Sequence, residues 1–377
     1  MKSCHITVLL AAGLALLCGA ARAQVVVVRI GHVAPLSGGY AAYGKDAENG
    51  VRMAVEELNA NGMVIGGKRA RFEVVAEDDA GDPKQGTTVA QKLCDAKVNG
   101  VVGHMNSGTT IPASAVYHQC GVPHITIGAT NPKLTQAGYK TTFRMTPNDN
   151  MLGAGIALHA AKALGVKTVA VIDDRTAYGQ GVAEVFKKTA LTLGMTIVEE
   201  HYTNDKASDF SAQLTAIKAK RPDAIFFGGL YSQAGPMLRQ METLGLVNVK
   251  FLGGDGICNP DLGKLSGGAK TADNVSCTEG GRALLKTANG TAWKSRYDAR
   301  FPNQYQTPSP YTYDATMVLV AAMSRAGSVD PRVYAPELFR TDHEGVLGRV
   351  RFEADGEMVD PPMTLYVYRD GKKTTLD

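Results

Sequence analysis

From residue 25 onward the chain alternates between two hydrophobic periods. Val25 to Val33 is a β-branched run and predicts a strand. Ala47, Val51, Ala54, Val55 and Leu58 fall at helical spacing, predicting a helix over 44–60 that Asn61-Gly62 stops. Arg71 to Ala76 returns to strand character. Asp82-Pro83 opens a second helix, with Asp82 as N-cap and Gln85 completing a capping box; it runs to Lys97 before Asn99-Gly100. Val101 to Gly103 predicts a short buried strand, 110–119 a helix and 123–127 another strand. The alternation restarts after Thr146. Helices over 151–164, 181–193, 210–220 and 233–244 alternate with strands over 167–172, 196–202, 224–227 and 250–252. Such repetition predicts parallel βαβ units with right-handed crossovers, an α/β protein in two runs. The C-terminal third is mixed, with a helix over 313–326 and a late edge strand over 363–369. At roughly 100–200 residues per domain, the length fits two domains, or three. No linker is long or rich in Ser and Pro, so the hinges are short.

The first 23 residues stand apart. Lys2 precedes an apolar run from Ile6 to Leu17, too short for a membrane span of roughly 20 residues. Ala21-Arg22-Ala23 then supplies a small-x-small cleavage site, so 1–23 reads as a secretory signal peptide cut before Gln24. Cys18 follows Leu17 rather than a small residue, which argues against a lipid anchor. Export suits the remaining cysteines, Cys94, Cys120, Cys258 and Cys277, whose even number suggests two disulfides with three possible pairings. Cys94–Cys120 and Cys258–Cys277 are favoured because each closes a short loop; four free buried thiols are the alternative.

Composition narrows the function. Hydrophobic residues make up 44% and charged residues 20%, enough to build cores. A net charge of +4 argues against a nucleic-acid binder. In open parallel sheets ligands bind beyond the carboxyl ends of the strands. The segments there are 35–44, 103–110, 128–132, 173–179, 228–231 and 253–256. They are rich in Gly, hydroxyls and Tyr and poor in cations, so they are poor phosphate cradles.

Catalytic signatures fail. Gly62 to Lys68 matches G-x-x-x-x-G-K, but Arg69 replaces the Mg²⁺-binding hydroxyl and the segment precedes a strand, so it reads as a turn. There is no G-x-S-x-G, no H-E-x-x-H and no G-x-G-x-x-G opening a helix. The histidines are scattered, C-x-x-C is absent, and Asp78, Asp79 and Asp82 lack calcium-loop spacing. No metal, cofactor or nucleophile–base pair is assigned.

Several spaced motifs together resemble the periplasmic leucine/isoleucine/valine-binding proteins. They are Gly38 to Gly44, Asp78-Asp79 with Asp82-Pro83-Lys84-Gln85, Gly103-His104 with Ser107 and Pro112-Ala113-Ser114, Ala129-Thr130-Asn131-Pro132, Tyr178-Gly179, and Gly253-Gly254-Asp255-Gly256. The resemblance runs in order over nearly all of Val25 to Arg369. It implies a type I periplasmic binding fold: two doubly wound α/β lobes, three crossover strands and a cleft between. The lobes would comprise 24–146 with 279–362 and 147–278 with 363–377, hinged near Thr146, near Thr278 and shortly before Leu365. It also implies a monomeric periplasmic carrier, not an enzyme, that hands an amino acid to an inner-membrane ABC permease.

The family's binding residues carry over one by one. Ser107 matches the serine that binds the ligand carboxylate, with Asn106 before it and a helix N-terminus behind it. Gly128, Ala129 and Thr130 match the next segment; the Thr130 hydroxyl and amide would donate to the carboxylate and the Gly128 carbonyl would accept from the ammonium. Asp255 stands where the family carries an acid facing the ammonium, and Tyr43 and Tyr178 match aromatic walls. Family members often carry a Tyr directly after the Gly228-Gly229 pair. Leu230 stands there, with Tyr231 next, so either Tyr231 takes over or the pocket is reshaped. A family disulfide is missing too, its positions being Gly81 and Asn106. The alternatives are a carrier for amides, urea or aromatic acids, which has no use for Asp255, and a secreted α/β enzyme.

Overall fold

A computed structural model describes residues 24–376. The expected signal sequence, 1–23, lies outside the described residues. The first half runs β1 (Val25–Ala34), α1 (Ala41–Ala60), β2 (Val64–Ile65), β3 (Lys68–Asp78), α2 (Pro83–Asp95), β4 (Gly100–Val102), α3 (Ser107–Cys120), β5 (His124–Thr126), α4 (Lys133–Gln136) and β6 (Thr142–Arg144). Next come α5 (Asp149–Lys162), β7 (Thr168–Asp173), α6 (Ala177–Thr192), β8 (Thr196–Tyr202), α7 (Ser211–Lys220), β9 (Ala224–Gly228), α8 (Tyr231–Thr243), β10 (Lys250–Gly253), α9 (Leu262–Leu265) and β11 (Val275–Gly280). The rest is α10 (Ala288–Arg300), α11 (Ser309–Ala326), α12 (Pro331–Leu338), β12 (His343–Glu344), β13 (Arg349–Val350), β14 (Met363–Arg369) and β15 (Lys372–Thr375).

Two sheets result. One has the order β2-β3-β1-β4-β5-β6 and the other β15-β14-β11-β10-β9-β7-β8. Strand β1 pairs in parallel with both β3 and β4, and β7 with both β8 and β9. Each is therefore a topological switch point, where the loops at the strand ends splay apart and leave a crevice. Strands such as β9, buried along its whole length, lie between helix layers. The lobes are joined by three passages lying side by side. A Cβ on Gly280 would come within 2.4 Å of Pro147, and the Gly281 amide donates to the Pro362 carbonyl at 2.7 Å. The result is two doubly wound α/β lobes joined by three crossings, the architecture that the resemblance to the periplasmic leucine/isoleucine/valine-binding proteins implies.

Two expectations need correction. Strand β14 is not an edge: it pairs with β11 on one side and with β15 on the other. The edge is β15, whose Lys-Lys-Thr-Thr sequence carries no apolar period but suits a strand with one open side. The capping box at α2 is only half formed. Asp82 accepts from the Gln85 amide at 2.8 Å, while the Gln85 side chain turns to the Asp78 carbonyl instead. Thr278 lies inside β11, paired with Leu365, and the chain leaves that sheet just beyond it, at Gly280-Gly281. Cysteines pair as Cys94–Cys120 and Cys258–Cys277, with Cα separations of 6.1 and 5.6 Å.

One close approach gives a stability prediction. A methyl on Gly228, at the end of β9, would stand 2.3 Å from the Gly179 carbonyl of α6. Neither backbone can yield without moving a switch-point loop. Gly228→Ala therefore lowers stability by about 3 kcal/mol in denaturant melts. Gly39→Ala, where the methyl meets open space, leaves the midpoint unchanged.

Candidate functional site

The cavity lies between the lobes, at both switch points. From the first lobe it is lined by Tyr40, Tyr43, Met105, Asn106, Ser107, Ile127, Gly128, Thr307, Pro308 and Tyr311. From the second come Tyr178, Leu230, Tyr231, Asp255 and Gly256, and from the crossing segments Thr146, Glu279 and Gly280. Its volume is about 70 Å³. At roughly 10–15 Å³ per water counted the same way, it holds about five waters, or about 150 Å³ of liquid. That is the size of one amino acid, not a peptide.

One end suits an anion. Helix α3 begins at Ser107, so its unsatisfied N–H groups and positive dipole end open on the cavity. The Ser107 hydroxyl oxygen accepts from the Asn131 amide at 3.2 Å, and its own proton remains free to donate. Asn106 is the N-cap, but its side chain makes no cap bond, and its buried Oδ1 has no partner. The loop before it is pinned from below. His104 is fully buried between Asp79 Oδ2 at 2.8 Å and the Tyr117 hydroxyl at 2.9 Å. Gly103 has φ +130°, and a Cβ there would stand 2.3 Å from the Val33 carbonyl, so only glycine fits.

The other end suits a cation. Asp255 enters from the loop after β10, and its Oδ1 is buried without a hydrogen-bond partner. Burial pushes its carboxyl up to about 7; a hydrogen bond from Tyr178 opposes the shift and the Glu279 charge adds to it. The Tyr178 hydroxyl also accepts from the Gly256 amide at 2.8 Å, which fixes the ring. Glu279 is raised by burial too, with Lys373 opposing, and the two side chains form an ion pair. An unpaired buried carboxylate next to a second one is a standing attraction for an ammonium group.

Aromatic rings make the wall between the poles. Tyr231 packs its ring against Tyr43 at 5.8 Å and Tyr40 at 6.3 Å, joining the lobes. Thr307 donates to the Tyr43 hydroxyl at 2.7 Å. The 307–309 segment is held by buried Asp46, which accepts from the Thr307 and Ser309 amides and from the Tyr297 hydroxyl. Burial pushes Asp46 up to about 6 against those hydrogen bonds.

The structure therefore brings together Ser107, Gly128, Tyr178, Asp255, Tyr43, Leu230, Tyr231 and Asn106. Ala129 and Thr130 follow Gly128 directly but are not among the residues that line the cavity. Both are fully buried; the Ala129 carbonyl accepts from Arg144, and the Thr130 carbonyl accepts from the Asp149 amide. The Thr130 hydroxyl stands beside the Asp149 carboxylate and holds that carboxyl down against its burial. Burial, with the Asp255 charge second, pushes Asp149 up to about 8. Sequence reasoning missed Glu279, Thr307 and Tyr311. Glu279 ends a strand of Val-Ser-Cys-Thr that carries no hydrophobic period; Gly280-Gly281 after it is the only signal. Thr307 opens a Thr-Pro-Ser-Pro run that reads only as a helix start.

Comparison with known proteins fits this geometry. An amino acid binding protein of Pseudomonas aeruginosa is 34% identical over 348 residues, 92% of this chain and 91% of that one. The Leu/Ile/Val-binding protein homolog 2 of Brucella abortus is 35% identical over 350 residues, again 92% and 91%. Among solved structures, the branched-chain amino acid transporter substrate-binding protein LivJ of Streptococcus pneumoniae, in complex with isoleucine, superposes with a TM-score of 0.84. It is 30% identical and covers 92% of this chain and 97% of that one. With residues 27–373 matching the family as a whole, this chain belongs to the periplasmic binding proteins.

Proposed function

We propose that the protein captures a single aliphatic amino acid, leucine, isoleucine or valine, and delivers it to an ABC permease. The carrying observation is the polarity of one small cavity: a helix N-terminus with Ser107 at one pole, unpaired Asp255 at the other, and an apolar and aromatic wall between. A zwitterion fits both poles at once, whereas a carboxylate or an amide alone leaves the buried Asp255 without a counter-charge. Relatives whose names state amino-acid binding support the same reading. Ser107 binds the carboxylate, Asp255 with the Gly128 carbonyl takes the ammonium, and Leu230, Tyr231 and Tyr43 meet the side chain. The lobes, 24–146 with 279–362 and 147–278 with 363–377, close about the three crossings and trap the ligand. Export by the signal sequence at 1–23 places this carrier in the periplasm, where the closed form is what the permease recognises.

Calorimetric titration with leucine, isoleucine, valine, benzoate and acetamide tests this. Saturable binding is expected for the amino acids alone, with the ligand recovered chemically intact. Tighter binding of benzoate or acetamide than of any amino acid would sink the proposal.

A further inference from the structure

A second cleft lies on the hinge side, behind the ligand cavity. The two share Glu279, Thr307 and Tyr311 as a common wall. This cleft is larger, about 470 Å³, and among the described residues its charge is one-sided: Arg282, Lys286, Lys294, Lys372 and Lys373 line it against one carboxylate, Glu279. The whole chain carries a formal charge of only +4, so five cations around one opening is a local concentration. They come from three separate segments, the stretch after β11, helix α10 and strand β15. Lys294 is held by Asp298 and lies 4.7 Å from the centre of the Tyr305 ring. Lys373 is spent on Glu279. Lys286 also has a partner, whereas among the described residues Arg282 and Lys372 make no ion pair and no further carboxylate lines the cleft.

We propose that this cleft binds a small anion carrying two or more negative charges, a phosphate or a polycarboxylate. Like charges converging on a partly enclosed opening with low-dielectric walls focus their field, and a multivalent anion relieves their repulsion. The Arg282 fork matches the paired oxygens of carboxylate and phosphate alike. A singly charged anion meets one cation at a time and gains little over water. The proposal stands on Arg282 and Lys372, which the amino-acid reading does not use, so either can fail alone.

The test is calorimetric titration of the purified protein with inorganic phosphate and, separately, with citrate, at ionic strength fixed by sodium chloride. Saturable binding of at least one probe is expected, and which one binds tells phosphate from polycarboxylate. Affinity should fall as salt rises, because partly exposed charges are screened within about 10 Å at 0.1 M salt. The double variant Arg282→Gln/Lys372→Gln should weaken binding at least about tenfold, one unit of 1.4 kcal/mol. Thermal melts check its fold, and Lys372→Gln alone, at an exposed position on the edge strand, replaces it if it does not fold. Absence of saturable binding of both probes, or binding that the substitutions leave unchanged, overturns the proposal.

Discussion

Asp255→Ala weakens amino-acid binding by two or more orders of magnitude. In the free protein the Asp255 carboxylate is buried with an unpaired oxygen, and among the described residues no cation lines the ligand cavity. The ligand ammonium becomes its counter-charge. Removing one partner of a buried ion pair costs roughly 3–5 kcal/mol, and each 1.4 kcal/mol is about tenfold in affinity. Glu279 does not replace it, because Lys373 already occupies Glu279. Asp255→Asn, with the same shape and no charge, should lose nearly as much, since it leaves the ammonium facing a neutral amide. Calorimetry with the tightest-binding amino acid measures both variants. Affinity within threefold of the unaltered protein for either would remove Asp255 from the ammonium pole.

What the sequence made legible follows a physical division. Buried strands and the apolar faces of helices are written in side-chain periodicity, and there the expectation and the structure agree to within a few residues. Helix starts are not written that way. The period predicts starts at 110, 181 and 233, and the helices begin at Ser107, Ala177 and Tyr231. Their first turns are Ser-Gly-Thr-Thr, Ala-Tyr-Gly-Gln and Tyr-Ser-Gln-Ala, built to face a cavity rather than a core. Ser107, Tyr178 and Tyr231 sit in those turns, so the hydrophobic signal fades where the site begins. Family likeness located Asp255, Ser107 and Tyr178. It also carried over Thr130, which is buried next to Asp149, just beyond the lining residue Gly128. Glu279 escaped both routes, because it is set in a polar strand and its role depends on Lys373, far away in the chain.

Lowering the pH from 7 to 5 should weaken binding about fifty-fold through Asp255 alone, the loss of ionised carboxylate expected for a group titrating near 7. Burial is the first cause of that raised value, and the Glu279 charge also raises it. Only ionised Asp255 pairs with an ammonium, so below pH 7 the ligand must expel a proton to bind. The ligand's own groups do not titrate in this window. The sign for folding runs the other way. A carboxyl whose folded pKa lies above its unfolded value destabilises the protein when ionised, and that cost disappears as pH falls from 7 toward 4. Asp149, pushed up to about 8, and Asp46, to about 6, act in the same direction. Affinity therefore drops over a range where these three groups make the free protein firmer, which separates lost binding from unfolding. The groups around Asp255 are Tyr178, Glu279, Lys373 and Asp149. If Asp255 is the titrating group, calorimetry in buffers of different ionisation enthalpy shows proton release near pH 6, and Asp255→Asn abolishes it. A slope that persists in Asp255→Asn would assign the proton to Asp149 or Glu279 instead.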